Sequence, residues 1–125
     1  MQGREYMESK YREQMKAWMM IQVIGQTSIN FLNVKKLAKE MRQHLETLRN
    51  CDIQEFADFF IDSCKDSKSY RAAIFGTMTM SDEGARTRLL EDVDLVTMTI
   101  PEKFGLENEF TQIRTAFLNS LNRVQ

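Results

Sequence analysis

The chain has 125 residues, 42% of them hydrophobic and 28% charged, and its 17 basic and 18 acidic side chains leave a net charge of -1. This composition excludes a disordered chain, because a domain of this size can bury enough apolar surface to fold. The balanced charge excludes an overall electrostatic attraction to nucleic acid or to an anionic membrane.

Targeting signals and disulfide patterns are missing from the sequence. No apolar run approaches the roughly 20 residues that a membrane-spanning helix needs, and the first residues mix both signs of charge. Cys51 and Cys64 are too few for a disulfide framework and lie in no zinc-binding spacing. We therefore expect a cytoplasmic protein with both thiols reduced and no membrane partner.

Helix-breaking residues are scarce, since the chain has five glycines and a single proline, Pro101. Apolar residues recur mostly at helical spacing, three or four residues apart. No linker rich in glycine, proline or serine divides the chain. The sequence therefore predicts an all-α fold, a compact bundle of about six helices that forms a single domain over residues 1–125.

The first predicted helix covers residues 5–24 and ends at Gly25. The second starts between residues 26 and 30, where polar side chains can cap it, and carries the cleanest amphipathic pattern in the chain. Its apolar side consists of Val34, Leu37, Ala38, Met41, Leu45 and Leu48. Its opposite side is predicted to be solvated and includes Lys35, Lys36, Lys39 and Arg42.

The third predicted helix covers residues 53–64, and Asp52 stands where an N-cap belongs, with Glu55 in the first turn. Its apolar residues cover more than half of its circumference, so it needs neighbours on two sides. We therefore predict that this helix is the central one. Cys64 lies on its apolar side and is expected to pack as a small hydrophobic residue.

Residues 67–100 allow two interpretations. A fourth helix capped by Ser67 or Ser69 is predicted to run to Gly76, and a fifth from Ser81 to Ile100, where Pro101 should end it. The runs 76–80 and 96–100 alternate with period two, so a short pair of strands is the alternative. After a tight turn at residues 104–106, a sixth helix is predicted to extend to residue 124.

Catalytic motifs are absent from the sequence. It has no phosphate-binding glycine loop, no serine elbow and no H-E-x-x-H, and its single histidine, His44, stands four residues after Glu40. Such a pair can be sensitive to pH or supply half of a metal site, but the favoured interpretation is a surface or boundary histidine. The sequence favours a non-enzymatic protein and calls for no cofactor.

Two pairs of carboxylates have the spacing Glu-x-x-Asp, namely Glu55 with Asp58 and Glu91 with Asp94. All-helical nucleotide pyrophosphohydrolases use such pairs on adjacent helices to hold a metal that bridges a triphosphate. Any solvated helix face produces the same spacing, so these four residues are candidates for a metal site and no more. Arg114 is expected to pair with Asp92 or Asp94 across helices, or to receive an anionic ligand.

Nine methionines are many for this length. Met15, Trp18 and Met19 broaden the apolar side of the first helix, and flexible thioethers beside an indole suit a surface that accommodates a partner, including a second copy of the chain. The alternative is that these side chains fill an irregular core. The basic side of the second helix has no aromatic neighbours for base stacking, so nucleic-acid binding is not favoured.

Three segments, D-S-K-S-Y-R-A-A-I-F-G, E-D-V-D-L-V-T and P-E-K-F-G-L-E-N-E-F, lie between residues 66 and 117. They resemble a group of small uncharacterised bacterial proteins classed as a domain of unknown function. The resemblance implies a bacterial source and a helical fold, and it brings no activity and no catalytic residues. The first fifty residues show no such resemblance, which would make the Met/Trp helix particular to this protein.

Three hypotheses of function follow. The first is a helical protein-interaction or regulatory module, with self-association as a homodimer as one form of it, whose surface includes Met15, Trp18 and Met19. The second is a metal-dependent nucleotide hydrolase that uses the two acidic pairs. The third is a weak nucleic-acid binder that uses the basic side of the second helix.

Overall fold

The computed structural model of the protein describes residues 3–66 and 82–123. Seven α-helices lie in these two ranges, joined by turns, and no strand is found there. They are α1 (Arg4–Lys10), α2 (Arg12–Gly25), α3 (Val34–Arg49), α4 (Ile53–Asp66), α5 (Asp82–Asp94), α6 (Ile100–Glu102) and α7 (Thr111–Arg123). The all-α prediction is confirmed. The predicted fourth helix, and the strand alternative at 76–80, lie outside the described residues.

The predicted first helix is interrupted at Tyr11, whose backbone leaves helical geometry at φ -108° and ψ 18°. The hydrogen-bond ladder still runs past it, since Tyr11 N donates to Met7 O and Met15 N donates to Tyr11 O. The Tyr11 ring is buried between α1 and α4, and its hydroxyl donates to the Glu55 carboxylate. The break goes with a contact between residues far apart in the sequence, and helical periodicity along the chain does not reveal such a contact.

Gly25 ends α2 as predicted, and the structure shows that the absence of a Cβ there allows close packing against Ile100. A Cβ atom at this position would stand 2.3 Å from Cδ1 of Ile100, a fully buried side chain on α6. The glycine therefore lets two helices approach closely.

An Asn30-centred turn precedes α3. The Asn30 side chain accepts hydrogen bonds from the backbone N-H groups of Leu32 and Asn33, at 2.9 and 3.2 Å. This Asx-type capping places Phe31, Leu32 and Asn33 in a turn before the regular helix begins at Val34. Asn30 was one of the predicted capping residues, and the helix itself starts slightly later than expected.

The helix α4 begins where the sequence indicated. The Asp52 side chain accepts a hydrogen bond from Glu55 N at 3.1 Å, and Asp52 O accepts one from Phe56 N at 2.9 Å. Almost every apolar residue of α4 is buried, and its closest packing partner is α7. The prediction of a central apolar helix is confirmed, and Cys64 is fully buried in it.

Pro101 does not end the fifth helix at Ile100. Leu95–Thr99 form a π-helical turn, in which Ile100 N donates to Leu95 O, and α6 then carries Pro101 inside its first turn. A wider turn tolerates a ring that lacks an N-H and crowds the preceding carbonyls. The run 96–100 is therefore helical, and the strand alternative for it is wrong.

The chain leaves α6 through a Schellman turn. Gly105 has φ +69°, Gly105 N donates to Glu102 O, and Leu106 N reaches back to Pro101 O at 3.0 Å. Glycine is suited to this left-handed position because it has no Cβ. The tight turn predicted at 104–106 is confirmed, and a 3-10 turn (Glu107–Phe110) then leads into α7.

An aromatic cluster occupies the centre of the core. The Trp18 ring lies 4.3 Å from Phe117, nearly parallel to it, and 5.1 Å from Phe60, while Phe56 meets both phenylalanines edge to face. Such arrangements add to the stabilisation that burial of the rings gives. The cluster joins α2, α4 and α7.

Candidate functional site

Trp18 belongs to the core and not to the surface predicted for it, because its side chain is only 1% exposed. The indole fills the space between Phe60 and Phe117, which only the packing of α4 and α7 against α2 creates. The indole Nε1 has no hydrogen-bond partner. Trp18 therefore stabilises the fold and is not available to a partner.

The two methionines of the predicted surface differ in their exposure to solvent. Met15 is half-buried and packs against the core, whereas Met19 is exposed. Met20 and Val23 are also exposed; at 100° per residue Met19 and Val23 lie on the side of α2 opposite its buried residues, and Met20 lies at the flank of that side. The outward side of α2 is therefore apolar from Met19 to Val23 although it faces solvent.

A second exposed apolar pair follows α2 along the chain. Phe31 is 87% exposed and Leu32 is 80% exposed, the highest values among the large hydrophobic residues that the structure describes. Phe31 is four positions after Thr27, whose hydroxyl donates to Val23 O in the last turns of α2, so the chain holds Phe31 within about 14 Å of Thr27. We call Met19, Met20, Val23, Phe31 and Leu32 together the outer apolar face.

Lysines flank the residues of this face in the sequence. No aspartate or glutamate occurs between Glu13 and Glu40. Lys16, Lys35, Lys36 and Lys39 are exposed, and within the described ranges none of them forms an ion pair. Their positive charge is therefore not neutralised by the protein nearby, except for half-buried Glu40 on the same helix.

Glu55, from the first predicted acidic pair, is held by two donors. Its carboxylate pairs with Lys10 Nζ at 2.6 Å and accepts a hydrogen bond from the Tyr11 hydroxyl. The Lys10 ammonium, and after it the Tyr11 hydroxyl, hold the pKa of Glu55 below its ordinary value. Burial and the same carboxylate raise the pKa of Tyr11 well above its ordinary value. Glu55 thus joins α4 to α1.

Asp58, the second member of that pair, faces α7. It accepts hydrogen bonds from Ser120 Oγ, from the Arg123 guanidinium and from Gln54 Nε2. Gln54 Nε2 also donates to Ala116 O at 3.0 Å. The carboxylate therefore neutralises a cation between two helices.

Glu91 and Asp94, the second predicted acidic pair, also have different surroundings. Asp94 pairs with Arg114 Nη1 at 2.5 Å, which confirms the predicted cross-helix contact, whereas Glu91 is exposed. Within residues 3–66 and 82–123, no group of three His, Cys, Asp or Glu side chains is arranged to hold a metal ion. The two pairs serve different helix contacts, so the described structure does not unite them in one site.

Asp92 is buried, with only 5% of its surface exposed, the lowest value among the acidic residues whose side chains the structure describes. Arg88 Nε lies 3.4 Å from one carboxylate oxygen, and the other oxygen has no hydrogen-bond partner. Burial raises the pKa of Asp92 above its ordinary value, although the Arg88 guanidinium opposes that shift. Asp92 lies in the wall of the core.

His44 and Cys51 both have pKa values that favour the neutral form of the side chain. Burial lowers the pKa of His44, against the opposing effect of Glu40, so the imidazole is neutral at pH 7. Burial raises the pKa of the Cys51 thiol to about 11. A thiol with that pKa carries almost no thiolate at neutral pH and is a poor nucleophile.

A polar cleft of about 640 Å³ lies between the start of α2 and the end of α3. Gln14, which lines it, donates from Nε2 to Thr47 O at 3.1 Å, and its buried Oε1 accepts no hydrogen bond. Both cations of the cleft already have partners, Lys10 with Glu55 and Arg49 with Glu46 and Glu109 O. The bond from Gln14 to Thr47 O links α2 to α3 across the cleft.

The comparison with protein families assigns the chain to one of them. A family described as "Family of unknown function (DUF6553)" matches residues 5–124, so the chain belongs to it. The match includes the Met/Trp helix, which corrects the expectation that the first fifty residues are particular to this protein. No curated protein matches the chain, and no solved structure does.

Phe31 and Leu32 were not predicted from the sequence as surface residues. The signal that could have found them is charge, because residues 17–34 contain no charged side chain and this run continues past the end of α2. When an uncharged, apolar stretch extends beyond the end of its helix, some of its apolar residues lie in the following turn and can be exposed.

Proposed function

We propose that the protein is a helical interaction module that binds a protein partner through the outer apolar face. The observation that carries the proposal is the exposure of Phe31 and Leu32, at 87% and 80%, in the same uncharged stretch 17–34 as the exposed Met19 and Val23 of α2. A folded protein gains nothing in stability from holding such side chains in water, and clustered exposed apolar residues mark contact surfaces.

The type of residue also supports a contact with a protein. Methionine side chains adapt to different partner shapes, and Met19 and Met20 are consecutive, exposed residues of α2. Aromatic and methionine side chains are enriched at the centres of protein interfaces. In the part of the chain that the structure describes, no helix is long and apolar enough to cross a membrane.

Two further parts of the proposal concern location and extent. We place the protein in the cytoplasm, since Cys51 and Cys64 are both free thiols. We treat the chain as one domain, since all the buried apolar residues that the structure describes form one cluster.

Photo-crosslinking tests the proposal directly. A photoreactive phenylalanine analogue replaces Phe31 in the full chain, and the protein is irradiated in cells of its source. The expected result is a discrete adduct with one protein. The matched control carries the analogue at Gln43, an exposed position on the polar side of α3, and should give no such adduct.

Two results would count against the interaction surface. One is the absence of any adduct from positions 31 and 23 in a protein that unfolds at the normal temperature. The other is an identical set of adducts from positions 31 and 43, which would show only random collisions.

A further inference from the structure

The charges around the outer apolar face divide the molecule into two electrostatic regions. In the remainder of the described chain, at least five lysine and arginine side chains have a carboxylate partner, among them Lys10 with Glu55, Arg114 with Asp94 and Arg123 with Asp58. Beside the outer apolar face the pairing stops. Lys16, Lys35, Lys36 and Lys39 stand exposed within a stretch that has no acidic residue between Glu13 and Glu40.

We propose that the partner contributes an acidic amphipathic helix, whose apolar side covers the outer apolar face and whose carboxylates pair with these four lysines. This inference rests on the proposed function. The lysines follow the apolar residues in position, with Lys16 one turn before Met19 on α2 and Lys35 directly after the turn that holds Phe31 and Leu32. A helix with leucine-like residues on one side and glutamates beside them matches both features.

A second copy of this chain fits the face poorly. A symmetric dimer joins the same surface of both subunits, so it would bring the lysines of the two copies together. Like charges placed opposite each other across an interface act against association. The homodimer predicted from sequence is therefore disfavoured at this face by its charge.

A lipid surface also fits less well than a protein helix. Side chains that anchor proteins at membrane interfaces are commonly tryptophan and tyrosine. The outer apolar face contains neither, and the only tryptophan, Trp18, is directed into the core. Two adjacent methionines instead indicate a surface suited to helix packing.

The test identifies the segment attached to the photoreactive group at position 31. Mass spectrometry of the adduct should yield a peptide of net negative charge with apolar residues at spacings of three and four. A neutral or basic peptide from another protein would overturn the inference on charge and leave the proposed function intact. An adduct with lipid, or with the chain itself, would overturn both.

Charge variants supply the second measurement. Replacing three lysines together, in Lys35→Gln, Lys36→Gln and Lys39→Gln, should lower the adduct yield at least about fivefold, and so should added salt, because screening weakens exposed charge pairs. The control Lys103→Gln removes an exposed cation outside the stretch and should leave the yield unchanged. Equal yields from the triple variant and the control would overturn the inference, provided both variants unfold at the normal temperature.

Discussion

The two sides of α2 carry similar residue types and have opposite roles. Trp18 and Ile21 face inward and are buried, Trp18 beside the Phe117 ring, whereas Met19 and Val23, each only one or two positions away, face solvent. Hydrophobicity alone does not distinguish them. The difference lies in what is packed against each side, α3, α4 and α7 on one and solvent on the other, so stability and binding should separate along this helix.

The largest effect is expected at the centre of the inner side. Trp18→Ala should lower the free energy of unfolding by about 3–5 kcal/mol, because it removes the ring that lies between Phe60 and Phe117. Chemical denaturation measures this loss. Trp18→Phe keeps an aromatic ring and removes the unpartnered Nε1, so it should cost clearly less. Equal losses from the two variants would show that the indole shape itself, and not aromatic packing, is required.

The next effect tests the close approach at the end of the same side. Gly25→Ala should lower the free energy of unfolding by about 1–2 kcal/mol, because the new methyl group collides with buried Ile100. The control Gly3→Ala meets no atom within 4 Å and should cause no loss. Combining Gly25→Ala with Ile100→Val, which removes the colliding Cδ1, should restore part of the loss. A simple sum of the two single losses would contradict the contact.

A smaller effect, dependent on pH, is expected from Asp92 in the core wall. Since burial raises its pKa above the ordinary 3.8, the unfolded chain ionises first as the pH rises, and the folded state loses stability through that range. Asp92→Asn avoids this loss and should be more stable than the natural protein at pH 7, by on the order of 1 kcal/mol.

The same comparison has an internal control in its pH dependence. The advantage of Asp92→Asn should shrink as the pH falls and vanish below 3.8, where Asp92 is protonated in both states. Denaturation curves of both proteins at pH 7 and at acid pH measure it. An advantage that stays constant with pH would assign the effect to packing and not to charge.

The smallest effect on stability is expected on the outer side. Met19→Gln and Phe31→Ser should each change the free energy of unfolding by less than about 0.5 kcal/mol, because both side chains already lie in water. Phe31→Ser should nevertheless abolish the adduct formed by a photoreactive group at position 23. A large loss of stability would mean that these residues support the fold, and the contrast between the two sides of α2 would fail.

The sequence determined the features that depend on neighbours along the chain. Asp52 caps α4 because its carboxylate reaches an N-H only three residues away, and Gly105 forms its turn because the left-handed backbone there favours a residue without a Cβ. The apolar spacing also identified the buried residues of α3, which are Leu37, Met41, Leu45 and Leu48. Each of these features follows from local geometry, which the order of residues contains.

The tertiary structure decided what local geometry leaves open. In α2 the apolar residues surround most of the helix, so periodicity could not tell whether Trp18 or Met19 would face the core. The break at Tyr11 and the close contact of Gly25 with Ile100 likewise depend on residues distant in sequence. The two acidic pairs had metal-site spacing, yet Asp58 and Asp94 face arginines of α7, because the path of the chain fixes which charges meet.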